Sequence, residues 1–392
     1  MTHVRTGLER LLDDDQAMVR GRRIGVVAHP ASVTASLRHA VDALRDAGAD
    51  VCALFGPEHG IGGEAQDMEG VTDGDTTGRA GEVPTRSLYG ATFESLSPRP
   101  EWLDGLDAVV VDLQDVGSRY YTFVWTALLV ARACAAKGVE VIVCDRPNPL
   151  GGVITEGAPQ LAAERSFVGL RSVPVRHALT VGELVRDAAR DEGLTNVTVI
   201  EMEGWRRAMR WRDTGLPWVL PSPNMPTDET ATVYPGGCLL EGTNLSEGRG
   251  TTRPFELLGA PWVDALALAK ALREHAHEGC HPRVTTFRPM FQKHAGATCR
   301  GVQVHVTDAS TFAPYRAYLA LIAAARRMEG FRWRTEKYEF VDDRPAIDLL
   351  TGDGDVRRAI DAGADFDDVM RVGEDRMKAW RETERERWIY AR

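Results

Sequence analysis

Four short runs rich in β-branched residues, Ile24–Ala28, Val51–Phe55, Ala108–Leu113 and Val139–Cys144, carry apolar residues on both faces. Such a strand is stable only in a sheet covered on both faces, the situation of a parallel sheet in an α/β protein. Helical periodicity appears between them. Leu37–Ala47 carries apolar residues at i, i+3, i+4 and i+7 and stops at Gly48, and Trp125–Lys137 stops in the same way at Gly138. Strand, helix, glycine, strand is a βαβ rhythm, so the first half of the chain is expected to form a parallel sheet with helices on both faces.

A chain of 392 residues is long enough for two domains, each with its own core. Leu216–Pro226 (LPWVLPSPNMP) places four prolines in the ten residues after Leu216, and a glycine-rich stretch, Gly236–Gly250, follows. Regular structure is not expected through either. The choice is between an interdomain linker and a rigid loop at a site, and the Trp, Asn and Glu among the prolines and glycines favour the site. Beyond it, Val263–His275, Pro314–Arg327 and Asp355–Ala362 read as helices and Arg283–Arg288 and Val302–Val306 as strands, a smaller mixed α+β domain. Val369–Trp388 alternates charges at helical spacing and reads as a solvated terminal helix.

The balance of 47 Lys and Arg against 57 Asp and Glu gives a net charge of −10, and no basic stripe is present, so nucleic acid and anionic membrane are poor partners. The N-terminus lacks the apolar core of a secretory signal, and the longest apolar run, Ala317–Ala325, is too short to span a bilayer. The six cysteines are widely spaced, form no CxxC and mostly sit in apolar contexts, as buried thiols do in a reducing compartment. A cytoplasmic location is therefore expected.

In an open parallel sheet the ligand crevice lies beyond the C-terminal ends of the strands. The four exits are polar: His29-Pro30, then Gly56-Pro57-Glu58-His59-Gly60, then Asp112 to Arg119, then Asp145-Arg146-Pro147-Asn148-Pro149. If the strands are neighbours, these groups converge on one cleft. GxGxxG, GxxxxGK[ST] and GxSxG are all absent, which weighs against dinucleotide, P-loop and α/β-hydrolase chemistry. No cofactor is demanded. His59, Asp112, Asp115 and Asp145 are metal-ligating residue types, but their spacing matches no ligand pattern, and no metal is assigned.

A cleft of carboxylates, amides, arginines and aromatics is the inventory for handling a sugar. Glycosidic cleavage needs a carboxylic acid to protonate the leaving oxygen and a group that stabilises or captures the oxocarbenium-like centre. Glu58, bracketed by Gly56, Pro57 and Gly60 with His59 beside it, is the first candidate acid. Asp115, Glu241 and Glu247 are candidates for the second carboxylate. Each has a plainer role open to it: Asp115 as a helix cap, Glu241 as a tie for the glycine-rich loop, Glu247 as a surface partner of Arg249. Arg146 and Asn148 lie in a proline-stiffened turn, where the guanidinium can clamp a substrate carboxylate or bridge two loops. Trp125, Trp205, Trp211, Trp218 and Trp262 can stack on sugar faces or fill the core.

The strings LFGPEHG (54–60), DLQDVGSRYYTF (112–123), DRPNPLGG (145–152), SFVGL and VPVRHALTVGEL (166–184), TGLPWVLPSPNMPT (214–227), VYPGGCLLEGTNLSEGRGTTRPFE (233–256) and GAPW (259–262) resemble, in order, the exo-β-N-acetylmuramidase family of peptidoglycan-recycling glycosidases. The likeness runs from about residue 20 to the C-terminus. It implies a Rossmann-like domain that binds no nucleotide, a smaller C-terminal domain, and an active site in the cleft between them. We divide the chain at 1–228 and 229–392 on this basis. It also implies release of β-1,4-linked N-acetylmuramic acid from the non-reducing end of fragments such as MurNAc-GlcNAc, without a cofactor and with a muropeptide or disaccharide as the small-molecule substrate. Carried over by position, the Glu of GPEHG is Glu58, the leading catalytic carboxylate, with Asp115 and Glu241 as its possible partners. His59, Gln114, Arg119, Arg146, Asn148, His177, Asn224, Asn244, Glu247 and Arg249 are the expected pocket residues. The lactyl carboxylate of muramic acid requires a fixed guanidinium, for which Arg119, Arg146 and Arg249 are candidates. Two positions depart from the family pattern: Gly62 stands where a basic residue is expected, and Ala178 follows His177 where a glycine is expected.

Overall fold

The computed structural model describes residues 4–66, 69–70, 83–276 and 278–391. Near the N-terminus Thr6 caps α1 (Gly7–Asp13), accepting from the Glu9 backbone while the Glu9 carboxylate reaches back to the Thr6 N–H. The chain then forms β1 (Arg23–Val27), α2 (Ala40–Asp46), β2 (Asp50–Gly56), the short β3 (Thr85–Ser87), β4 (Ala108–Val111), α3 (Phe123–Lys137), β5 (Glu140–Cys144), α4 (Val181–Glu192) and β6 (Val197–Ile200). The six strands make one parallel sheet in the order β3-β2-β1-β4-β5-β6.

Alternation of side chains along each strand feeds two cores. Val109, Val111, Val141 and Val143 point to the face covered by α3 and α4, whereas Ala108, Val110, Ile142 and Cys144 join Leu8, Leu11, Val41 and Leu44 on the other face. The uninterrupted apolar strands of the sequence are explained by this two-sided cover. The two edge strands escaped the sequence reading: β3 is Thr-Arg-Ser and β6 is half-buried, so neither shows a continuous apolar run. α2 begins three residues later than expected, because Leu37 turns left-handed at φ +64 and the His39 side chain caps the helix by accepting from the Val41 N–H.

The second half carries α5 (Asp228–Gly237), a 3-10 turn over Cys238–Gly242, β7 (Leu257–Ala260), α6 (Ala265–His275), β8 (Cys280–Phe287), β9 (Cys299–Val306), α7 (Pro314–Arg326), α8 (Ala346–Thr351), α9 (Gly354–Asp361), α10 (Phe366–Arg371) and α11 (Glu374–Thr383). β7, β9 and β8 form an antiparallel sheet in that order. The architecture is therefore α/β with a smaller α+β unit.

Two expectations are corrected. Helix runs through Pro235 into Gly236 and Gly237, because those glycines are needed for contact: a β-carbon on Gly236 would collide with the Pro314 carbonyl and Tyr318, and one on Gly237 with Phe255. The tail is no single solvated helix either. It breaks at Gly373 (φ +80), buries Met377 and Trp380, and ends with the Tyr390 hydroxyl donating to Asp145, the residue after β5, at 2.6 Å.

Candidate active site

The sheet order makes β2, β1, β4 and β5 neighbours, so the four polar exits do lie side by side. The strand order reverses direction at β1, which is where a crevice opens in a sheet of this kind. At the end of β2 a turn closed by the Gly60 N–H on the Pro57 carbonyl (2.9 Å) presents Glu58. His59 holds φ +70 there, an unfavourable backbone for a residue with a β-carbon, and its Nδ1 lies 2.8 Å from the Ala65 carbonyl. Glu58 is buried and its Oε2 accepts from the Thr122 hydroxyl at 2.7 Å, at the head of α3.

Glu58, His59, Tyr121, Thr122, Ser222 and Asn224 form one side of a narrow pocket, and Tyr234, Glu241, Arg249, Phe255, Tyr338 and Glu339 form the other. Asn224 comes from the proline-rich segment, which is thus a site loop, and its Nδ2 donates to Gln66 Oε1 at 3.0 Å. His29 holds that loop: one ring nitrogen lies 3.2 Å from the Pro221 carbonyl and the other accepts from the Gln114 N–H at 2.9 Å. Burial, aided by the Arg146 charge, pushes His29 down to about 3, so it is a neutral strut. Burial, with the charges of Asp115 and Glu58, raises the pKa of the Tyr121 hydroxyl well above the usual phenol value, against a contact with Ser222 that lowers it.

The floor of the second half is an ionic cluster. Arg249 lies 2.8 Å from Glu241 and 3.0 Å from Glu247, Lys293 lies 3.0 Å from Glu247, and the Tyr338 hydroxyl donates to Glu241 at 2.8 Å. Burial opposes ionisation of Glu247, but Lys293 and Arg249 outweigh it and hold the carboxyl down at about 2. Glu247 is a buried anchor of Arg249 rather than a surface partner.

Other expected pocket residues are occupied by the fold. Arg146 forks onto Asp112 at 2.6 and 2.7 Å and reaches the Val33 carbonyl at 2.8 Å, bridging loops. Arg119 is buried and donates to the carbonyls of Leu349 (3.3 Å) and Leu350 (2.6 Å) in the last turn of α8, bolting the two halves together. Asn148 spans Leu150 and Leu179, Gln114 spans the Asp115 and Pro147 carbonyls, and Asn244 ties Gly330 to Arg332 away from the cleft. Asp115 sits outside the pocket lining, accepting from the Gly117 N–H at 2.6 Å and facing His177 Nε2 at 3.5 Å. Trp125, Trp205 and Trp211 are buried, and Trp218 and Trp262 pack partly buried against the core. None of the five lines the pocket, whose rings are tyrosine, phenylalanine and His59. Ala178 has φ +57, which is why glycine suits the position after His177.

Tyr338 and Glu339 were missed from the sequence, since no motif surrounds them. The available signal was an acidic residue in a hairpin flanked by aromatics, TEKYEFVDD.

The architecture is shared with two solved DUF1343-family proteins from Bacteroides fragilis NCTC 9343. One is 29% identical with a TM-score of 0.85, covering 100% of both chains. The other is 25% identical with a TM-score of 0.77, covering 100% of this chain and 99% of its own. A protein of Bacillus subtilis (strain 168) named peptidoglycan β-N-acetylmuramidase NamZ is 40% identical over 99% of this chain and 91% of its own length. The models of the N-terminal and C-terminal regions of exo-β-N-acetylmuramidase NamZ match residues 24–229 and 232–390. With both halves matched in order, the chain belongs to the exo-β-N-acetylmuramidase NamZ family of glycosidases.

Proposed function

We propose that this protein hydrolyses the β-1,4 bond that joins N-acetylmuramic acid to the rest of a peptidoglycan fragment, releasing the sugar from the non-reducing end of substrates such as MurNAc-GlcNAc. The observation that carries the reading is Glu58: a buried carboxyl on a strained turn at the mouth of the sheet, oriented by Thr122, in a narrow pocket between the two halves. Glu58 acts as the general acid and gives its proton to the departing glycosidic oxygen. Arg249 is the guanidinium for the lactyl carboxylate, because of Arg119, Arg146 and Arg249 it alone lines the pocket, pre-oriented by Glu241 and Glu247. Hydrolysis of a chromogenic β-N-acetylmuramide beside its N-acetylglucosaminide counterpart tests this. Muramide-selective release is expected, unchanged by EDTA because proton donation needs no Lewis acid. Glu58→Gln keeps the shape but removes the proton and is expected to lower turnover by at least about 100-fold. A loss below about fivefold would remove Glu58 from the role. Saturable binding of muropeptide without release would make the protein a carrier or sensor instead.

We further place this activity in the cytoplasm, on fragments taken up by the cell. All six cysteines are unpaired thiols and five are buried, the usage of a reducing compartment. No described helix is long and apolar enough to cross a membrane. Recovery of the native protein from a secreted fraction overturns this placement.

A further inference from the structure

Tyr338 and Val341 exchange both backbone hydrogen bonds, at 2.8 and 2.9 Å, and close a two-residue hairpin. Its central residues, Glu339 and Phe340, both have positive φ, +44 and +71. That is the backbone of a type I′ turn, for which Asn-Gly is the favoured pair because a β-carbon is crowded in the left-handed region. This chain spends a glutamate and a phenylalanine on it. Phe340 has a packing reason: its ring meets Tyr89, Phe93 and Phe167 edge-on at 6.0, 6.3 and 6.2 Å and pins the hairpin to the N-terminal half. Glu339 holds this left-handed backbone at the cleft, and a residue that breaks the local turn rule at a cleft marks function.

Glu339 is buried and lines the same pocket as Glu58, brought there from the opposite half of the molecule. The Tyr89 hydroxyl stands 3.2 Å from both of its oxygens and donates to them, which fixes the carboxylate's orientation. Of the other acidic candidates, Glu241 is clamped by Arg249 and Tyr338, and Asp115 lies outside the pocket lining. We propose that Glu339 is the second catalytic carboxylate of this pocket, the group that meets the positive charge developing at the anomeric carbon. The inference rests on the glycosidase reading above. As the bond from the anomeric carbon to oxygen breaks, its electron pair goes to the oxygen, which takes the Glu58 proton. Glu339 stabilises the cationic ring, water supplies the new oxygen to the anomeric carbon, and the water's proton passes to a pocket carboxylate.

The test uses the full chain and the chromogenic β-N-acetylmuramide. Glu339→Gln is expected to lower kcat by at least about 100-fold with KM within about threefold. Glu339→Asn is expected to lose activity equally while its Tm equals or exceeds that of the wild type, because asparagine suits the left-handed turn. Azide entering the space left by Glu339→Ala is expected to raise the residual rate at least about tenfold and to yield a glycosyl azide. A wild type without hydrolysis removes the glycosidase reading and this one with it. With an active wild type, either conservative variant keeping more than about a fifth of kcat, or no azide product from Glu339→Ala, overturns the role of Glu339 alone.

Discussion

At the scale of single residues, whether a polar side chain serves the site or the fold depends on what it meets across the chain. Glu58 and Arg249 reach the pocket, whereas Arg146, on an equally polar strand exit, is consumed by Asp112, and Arg119 by the end of α8. The position of Glu58 in the pocket was legible because its turn is local: the strand ends in Gly-Pro-Glu-His-Gly, and a turn of adjacent residues carries the carboxyl to the cleft. The fates of Arg146 and Arg119 were not, since their partners lie 34 and about 230 residues away. The same reasoning gives a selectivity prediction. Arg249→Lys replaces a planar fork by a point charge, so the preference for muramide over glucosaminide is expected to fall at least about tenfold, measured as the ratio of kcat/KM for the two substrates. An unchanged ratio would place lactyl recognition elsewhere.

At the scale of elements, positions where backbone and side chain disagree set local stability. Ala178 lies left-handed at φ +57 beside His177, so Ala178→Gly is expected to stabilise the protein by roughly 1 kcal/mol in urea unfolding, the relief of a β-carbon clash less the added chain entropy. Gly236→Ala should act in the opposite sense. Its methyl would meet the Pro314 carbonyl and Tyr318 where α5 abuts α7, and a loss of about 1–3 kcal/mol is expected, read as a lower Tm. The sequence reading took these glycines for loop formers, because composition cannot distinguish a glycine needed for its φ from one needed for its missing side chain. Edge strands β3 and β6 were hidden for a related reason, since an edge needs no continuous apolar run.

At the scale of the whole molecule, three buried titratable groups shape the response to acid. His29, held down at about 3, contributes stability above its ordinary value of 6.5 that is lost as pH falls toward 3. Glu247, held down at about 2 against its ordinary 4.5, loses its contribution over the lower part of that range. Asp145 runs the other way: burial raises it from 3.8 to about 6, despite hydrogen bonds from Tyr390, Thr180 and the Gly182 N–H, so its contribution is present below 3.8 and lost as pH rises through 6. Between pH 6 and 4 His29 and Asp145 therefore oppose each other, each with a slope of at most about 1.4 kcal/mol per pH unit. Below pH 4 His29 and Glu247 act together. Urea unfolding at pH 6, 4 and 3 is expected to give similar stabilities at the first two and a steep fall at the third; a steady decline from pH 6 would show that Asp145 does not offset His29.

The amino-acid order alone determined the parallel sheet, because strands buried on both faces must be apolar throughout, and it put Glu58 at a strand exit, because the turn that carries it is built from adjacent residues. The composition of the pocket was decided only by tertiary structure. Glu241, Arg249, Tyr338 and Glu339 join Glu58 from the far half of the chain, and Arg146, Arg119 and Asn148 are withdrawn from it by partners distant in sequence. Burial of charge is the physical reason. A guanidinium or carboxylate removed from water must be paired, and which one finds its partner in the core and which one stays at the cleft depends on contacts that exist only once both halves have packed.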